Sequence, residues 1–224
     1  MLLKAAFPLD VNADKASFDI QFGNVERPAH QNTSWDAAKF EVCAHKYCDF
    51  AEYDYGVAML NDCKYGHDIH DGVMRLTLLK CATYPNPDAD RCRHEFTYSI
   101  VPHAGDYRAA GVVQLAYDLN QPMTAVPVVK QQGSLPERYS LVSVCEPNLI
   151  LETVKQAEDS GDLIFRLYEA YNKQTDVTVS LGFAPKRVAL CDLMENECSP
   201  LAVDGASFSL PVKPFEIITL KVER

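Results

Sequence analysis

Apolar and polar residues alternate with a period of two along several stretches, the signature of strands with one buried and one solvated face. Phe18, Ile20 and Phe22 share one such face, as do Met74, Leu76 and Leu78. Phe96, Tyr98 and Ile100 repeat the pattern, and so do Val177, Val179 and Leu181. Other runs are apolar at consecutive positions: Val57-Ala58-Met59-Leu60, Leu163-Ile164-Phe165-Arg166-Leu167-Tyr168 and Ile217-Ile218-Thr219-Leu220. These predict central strands between two packed layers. Leu2-Leu3-Lys4-Ala5-Ala6-Phe7 reads as a strand with no partner before it, which points to a piece of a longer polypeptide.

Turn residues separate the runs. They include Tyr84-Pro85-Asn86-Pro87-Asp88, His103-Ala104-Gly105-Asp106 and Asp159-Ser160-Gly161-Asp162. Asp204-Gly205, between Leu201-Ala202-Val203 and Phe208-Ser209-Leu210, predicts a tight hairpin. Helix signals are sparse. Thr33 or Ser34 is placed to cap a short turn over Trp35-Asp36-Ala37-Ala38, and residues 111–119 fit strand or helix equally. Three prolines and Gly133 between 120 and 138, with no long apolar run, read as a crossing segment between two β units. The expected domains are 1–128 and 136–224.

Composition narrows the class. At 224 residues, 47% hydrophobic and 23% charged, the chain has the make-up of a globular protein and can bury a core. No apolar stretch approaches the roughly 20 residues a spanning helix needs, and no leader pattern opens the chain. The net charge of −10, with basic residues scattered, excludes the footprint of a nucleic-acid binder. Eight cysteines spread over such a length fit reduced thiols in the cytoplasm better than a disulfide framework.

Few local motifs carry chemistry. His67-Asp68-Ile69-His70 is the most metal-like cluster, yet without convergent partners it reads as a solvated hairpin between Gly66 and Gly72. Cys43, Cys48, Cys63, Cys81 and Cys92 lack zinc spacing, and no nucleophile elbow, phosphate loop or dinucleotide fingerprint is present. Three polar segments stand out. The first is Glu26-Arg27-Pro28-Ala29-His30-Gln31-Asn32-Thr33-Ser34-Trp35-Asp36, the second Asn61-Asp62-Cys63-Lys64-Tyr65-Gly66 and the third Arg93-His94-Glu95-Phe96-Thr97-Tyr98 with Pro102-His103. Polar clusters with aromatic platforms suit sugar contacts, and equally suit turns that satisfy their own backbone.

These segments also carry a resemblance. Phe40-Glu41-Val42, His45-Lys46-Tyr47 and Asp49, followed by Tyr55-Gly56-Val57-Ala58-Met59-Leu60-Asn61-Asp62-Cys63-Lys64-Tyr65-Gly66, resemble the C-terminal half of glycoside hydrolase family 38 α-mannosidases of the class 2C, cytosolic or bacterial type. Further matches run in order: Arg75-Leu76-Thr77-Leu78-Leu79-Lys80, His94-Glu95-Phe96-Thr97-Tyr98, Pro102-His103-Ala104-Gly105, Glu152-Thr153-Val154-Lys155 and Arg166-Leu167-Tyr168-Glu169-Ala170. Cys48, Cys81, Cys92 and Phe50-Ala51 depart from the usual family residues, mildly for packing.

The resemblance implies an all-β chain: part of a large β-sandwich (a supersandwich of the galactose-mutarotase type), then a smaller immunoglobulin-like β-sandwich. It implies a retaining exo-α-mannosidase whose nucleophilic aspartate and Zn2+ ligands belong to an N-terminal catalytic domain outside this chain. No catalytic or metal residue is therefore assigned here, and the chain alone is expected to be inactive. The expected partners are the catalytic and helical domains of the same polypeptide, α-mannoside oligosaccharides bound by the intact enzyme, and a second copy in a homo-oligomer. Position before the Leu60-Asn61-Asp62 strand nominates His45, Lys46 and Tyr47 for a loop at the rim of the substrate pocket, with Tyr47 offering a phenol hydroxyl. His30, Asn32 and Asp62 complete the candidates. Two other readings stand beside this one: an independent carbohydrate-binding or interaction module, and a small zinc hydrolase using His67 and His70.

Overall fold

The computed structural model describes residues 1–129, 132–134 and 136–224. The described residues fall into two compact units, 1–124 and 125–224. The expected crossing segment over 120–138 includes Lys130, Gln131 and Leu135, which lie outside the described residues; 121–129 carry no regular structure and are exposed.

The first unit contains β1 (Leu2–Pro8), β2 (Lys15–Ile20), β3 (Gly23–Pro28), α1 (Ser34–Ala38), β4 (Val42–Cys43), β5 (Tyr47–Ala51), β6 (Tyr55–Asn61), β7 (Gly66–His70), β8 (Val73–Lys80), β9 (Tyr98–Ala104) and α2 (Val112–Asn120). Two antiparallel sheets result, in the orders β1-β8-β7-β4 and β3-β2-β5-β6-β9. Both neighbours of β6 are antiparallel, and Val57 to Leu60 are all buried. The reading of that run as a central strand holds. Leu2 to Phe7 have a partner after all, because β1 pairs with β8 along its whole length.

Asp71 and Gly72 close the β7–β8 hairpin with φ of 54° and 67°. That left-handed pair is what a two-residue turn needs to match the twist of its strands, and Asp-Gly supplies it at little steric cost. The hairpin is not solvated as expected: His67 is 0% and Asp68 4% exposed. β7 is an interior strand, and Asp68 is held by Lys4 Nζ at 2.5 Å and Arg75 Nη1 at 2.9 Å from β1 and β8. Two alternation readings also need correction. Phe22 sits in the β2–β3 turn at φ 54°, and β9 begins at Tyr98, so Phe96 is outside the strand.

The core of this unit is built from one face of each sheet. Phe18, Cys48, Phe50, Met59, Met74 and Leu76 are all buried in it. Each such side chain contributes roughly 1.5–3 kcal/mol by leaving water. The other face of β5 and β6 is covered by α2, which buries Val112, Val113 and Ala116. The residues that fit strand or helix equally are thus helical, because period-3.6 burial on the sheet fits the pattern Val112-Val113-x-x-Ala116.

The second unit contains β10 (Val142–Val144), β11 (Leu149–Gln156), β12 (Leu163–Glu169), β13 (Thr175–Leu181), β14 (Arg187–Cys191), β15 (Glu197–Leu201), β16 (Ser207–Val212) and β17 (Ile217–Glu223). Its sheets run β10-β13-β16 and β11-β12-β17-β14-β15. Phe165, Val177, Val179, Val188, Val212, Leu220 and Val222 form its core. The expected Asp204-Gly205 hairpin is instead a turn between sheets: Asp204 bridges Ser207, but β15 and β16 belong to different sheets. All eight cysteines are free thiols. The chain is all-β apart from α1 and α2.

Candidate functional site

Asn61, the last residue of β6, organises the loop that precedes β5. It is 1% exposed. Its side-chain amide donates to the His45 carbonyl at 2.8 Å, and its Oδ1 accepts from the Lys64 amide at 2.6 Å. Its backbone N–H donates to the Lys46 carbonyl at 3.0 Å, and its carbonyl accepts from Asn120 Nδ2 at 3.0 Å. One buried side chain therefore ties the 45–46 loop, the 62–64 turn and the end of α2 together. Each bond to a buried group contributes about 1 kcal/mol, and losing one exposes an unpaired donor or acceptor.

Asp19 fixes the same loop from below. Its carbonyl accepts from the His45 amide at 3.1 Å, and its Oδ2 accepts from the Lys46 amide at 2.8 Å with Lys46 Nζ at 3.5 Å. Burial pushes the Asp19 carboxyl above the usual range, and the Lys46 ammonium and amide oppose that shift. Lys46 Nζ also lies 4.6 Å from the Tyr117 ring centroid, a cation–π contact with α2.

His45, Lys46, Asn61, Asp62, Tyr65 and Asn120 line a pocket of about 230 Å³. The His45 ring stands edge-on to Tyr65 at 5.3 Å. Asp62 is exposed and its Oδ2 accepts from the Thr97 amide at 3.0 Å. Partial burial raises the Asp62 carboxyl, but hydrogen bonds from Cys63 and Thr97 outweigh it and hold the group below its ordinary value. The pocket thus presents a cation, a carboxylate, an imidazole, a phenol and an amide, donors and acceptors of the kind that bind hydroxyls. It is smaller than the roughly 300 Å³ of a complete small-molecule pocket, so it grips an edge of a ligand. Asp62 is the one carboxylate in its lining, whereas retaining glycoside hydrolysis uses two, about 5–5.5 Å apart.

The structure brings three sequence candidates, His45, Lys46 and Asp62, to this pocket and places the others elsewhere. Tyr47 is 1% exposed and its ring stacks on Tyr107 at 6.0 Å, so its phenol is in the interior and not at a rim. The reason is strand phase: the pleat turns Tyr47 into the layer under α2. His30 and Asn32 organise α1 instead. The Asn32 amide donates to His30 Nδ1 at 3.4 Å, and that nitrogen lies 3.6 Å from Asp36 Oδ2. Tyr65, Asn120 and Asp19 were not singled out by sequence as site residues. Tyr65 lies within a quoted motif, and Asp19, an acid between Phe18 and Ile20, was the one available signal for a buried polar anchor.

A second polar cluster lies on the α2 side of the same sheet. His103 Nε2 and Asp49 Oδ1 are 2.6 Å apart, with side chains 6% and 3% exposed. They reach each other across β6 because Gly56 stands between them; a Cβ there would lie 2.4 Å from His103 Cε1. Burial raises the Asp49 carboxyl to about 6 although His103 favours its charged form. His67, on β7, is held neutral: burial lowers its imidazole to about 4, and Arg27 adds to the effect. Asn61 Nδ2 lies 3.5 Å from His67 Nε2. Among the described residues no three His, Cys, Asp or Glu side chains converge as metal ligands, so His67 and His70 do not form a zinc centre and the residues present do not fit one.

Two family models match the chain: the glycosyl hydrolases family 38 C-terminal domain over residues 1–88, and the family 38 C-terminal β-sandwich domain over residues 148–220. The chain belongs to glycosyl hydrolase family 38. Its similarity extends to human alpha-mannosidase 2C1, 41% identical across 97% of this chain and 21% of the human protein. Alpha-mannosidase G of Dictyostelium discoideum is 35% identical across 98% of the chain and 21% of its own length. This family 38 chain therefore spans about a fifth of the length of these curated relatives. Two Enterococcus faecalis structures, a family 38 glycosyl hydrolase and an α-mannosidase, share its fold with TM-scores of 0.82 at 20% and 19% identity. They cover 99% and 100% of this chain, which accounts for 26% of each. No described helix is long and apolar enough to cross a membrane.

Proposed function

We propose that this chain is the C-terminal β region of a retaining, zinc-dependent exo-α-mannosidase that removes terminal α-linked mannose. In this reading it packs on a catalytic domain supplied by the preceding polypeptide and sets His45, Lys46 and Asp62 at the edge of the substrate pocket. The Zn2+ and the nucleophile belong to that domain, and the chain alone does not turn over substrate. The enzyme works in the cytoplasm, where eight free thiols stay reduced.

One observation carries the reading: C-terminal family 38 models account for both ends of a chain that matches only a fifth of alpha-mannosidases nearly identical to one another in the share they align. The site agrees with it, since the pocket offers hydroxyl ligands but one carboxylate.

Hydrolysis of an aryl α-mannoside tests it. The chain alone should give no turnover above buffer, and the polypeptide extended through its upstream region should be active and lose activity to a zinc chelator. In that extended enzyme Lys46→Ala should raise KM with kcat little changed, as expected for a group that holds substrate without touching the reacting atoms. Turnover by the isolated chain, or an extended enzyme indifferent to chelation, overturns the proposal.

A further inference from the structure

The segment from β3 to β4 folds without burying itself. Positions 31–40 are all exposed except Asp36, and α1 contains no buried residue. Trp35, the single tryptophan, is 80% exposed and Phe40 67%. A helix of five residues is far below the roughly 12–15 at which helices become even marginal in water, and most gain their stability by packing an apolar face. Here local bonds hold the shape instead. Thr33 and Asp36 form a reciprocal capping box, and His30 Nδ1 lies 3.6 Å from Asp36 Oδ2. The sequence thus fixes the helix and leaves its aromatic residues to solvent.

An independent observation comes from the strand that leads into it. Arg27 Nη1 is buried with no acceptor among the described residues, and the guanidinium lies 4.9 Å from the Phe18 ring centroid. Arg27, His30, Asp36 and Lys39 line one small cavity of about 20 Å³. Buried donors are nearly always paired, so an orphan beside an unburied aromatic helix marks a surface that awaits a partner carrying both an apolar face and a carbonyl or carboxylate oxygen.

We infer that this corner, from Arg27 to Phe40, is the docking face for the α-mannosidase polypeptide that precedes these residues in the intact enzyme. The inference rests on the reading under Proposed function and adds to it the surface used. The occupant follows from length and charge. The matched portion is 21% of the relatives, which leaves about four fifths of their polypeptide outside it. A second copy is the poorer occupant, because two chains of net charge −10 repel.

The test uses the single tryptophan. The chain labelled with fluorotryptophan gives one fluorine resonance, from Trp35, and is mixed with the unlabelled upstream polypeptide while ultracentrifugation reports complex formation. The resonance should shift and lose its sensitivity to heavy water as the complex forms. Trp35→Ala with Phe40→Ala should weaken the complex roughly tenfold or more, and Arg27→Gln should also weaken it. Tyr84→Ala, at a position 88% exposed, should leave it unchanged, with circular dichroism confirming that every variant is folded. A complex with an unshifted Trp35 resonance and undiminished affinity in the double variant overturns the docking face and leaves the proposed function standing. No complex at all overturns both. A concentration-dependent shift in the chain alone, tracking dimer formation, assigns the face to a second copy and overturns the occupant named here.

Discussion

His67 and Asp49 titrate in opposite senses inside one sandwich, and their separation makes a quantitative prediction. The His67 imidazole, with no exposed surface, titrates at about 4 when folded against an ordinary 6.5. Between those values the unfolded chain binds a proton that the folded chain refuses. Stability is therefore lost as pH falls from 6.5 towards 4, by about 3 kcal/mol at 1.36 kcal/mol per pH unit. Asp49 has the opposite sign. Its folded value of about 6 lies above the ordinary 3.8, so the folded state keeps a proton that the unfolded state releases. Its contribution is fully present below 3.8 and is lost as pH rises through about 6, again by about 3 kcal/mol. Across the window from 4 to 6 the two slopes cancel and the wild-type first unit should respond weakly to these two groups. Native-state hydrogen exchange of the β6 amides, followed from pH 4 to 7 and corrected for intrinsic rates, reads this directly. Asp49→Asn, which keeps an acceptor for His103, should uncover a fall in β6 protection as pH drops. His67→Gln should uncover the reverse, a fall as pH rises. The comparison is between slopes, so a general loss of stability in either variant does not confuse it. Wild-type and Asp49→Asn proteins with the same slope would refute the reasoning about Asp49, and the same result for His67→Gln would refute it for His67.

Gly56→Ala should destabilise the first unit by about 1–3 kcal/mol, since its Cβ would lie 2.4 Å from His103 Cε1 and 2.6 Å from Ala51 Cβ; a urea titration at pH 7 measures this, and an unchanged midpoint would show that His103 moves aside freely. Glu169→Ala should cost about 3–5 kcal/mol in the second unit. Its fully buried carboxylate accepts from Asn148 Nδ2 at 2.9 Å, the Tyr171 amide at 2.8 Å and the Phe215 amide at 3.0 Å, and removal strands three donors. Exchange at the β12 and β17 amides should rise accordingly, and a change under 1 kcal/mol would contradict the bond pattern.

What the residues alone determined was the β character and the location of most strands, because alternation and apolar runs report burial directly. Val57-Ala58-Met59-Leu60 announced a central strand, Thr33 announced a cap, and the quoted motifs announced the family. Burial of polar residues was a different matter. Nothing local to His67 or Asp68 distinguishes a solvated turn from an interior strand, since that depends on β1 and β8 supplying Lys4 and Arg75 from far along the chain. Strand phase put Tyr47 beneath α2 while leaving its neighbours His45 and Lys46 at a pocket, and a shift of one residue is enough to exchange those fates. Tyr65 and Asn120 joined that pocket only because Asn61 ties two turns and a helix end to one point. Sequence records which side chains are polar; which of them meet is decided by pairing between distant strands, whose register is a property of the assembled sheets.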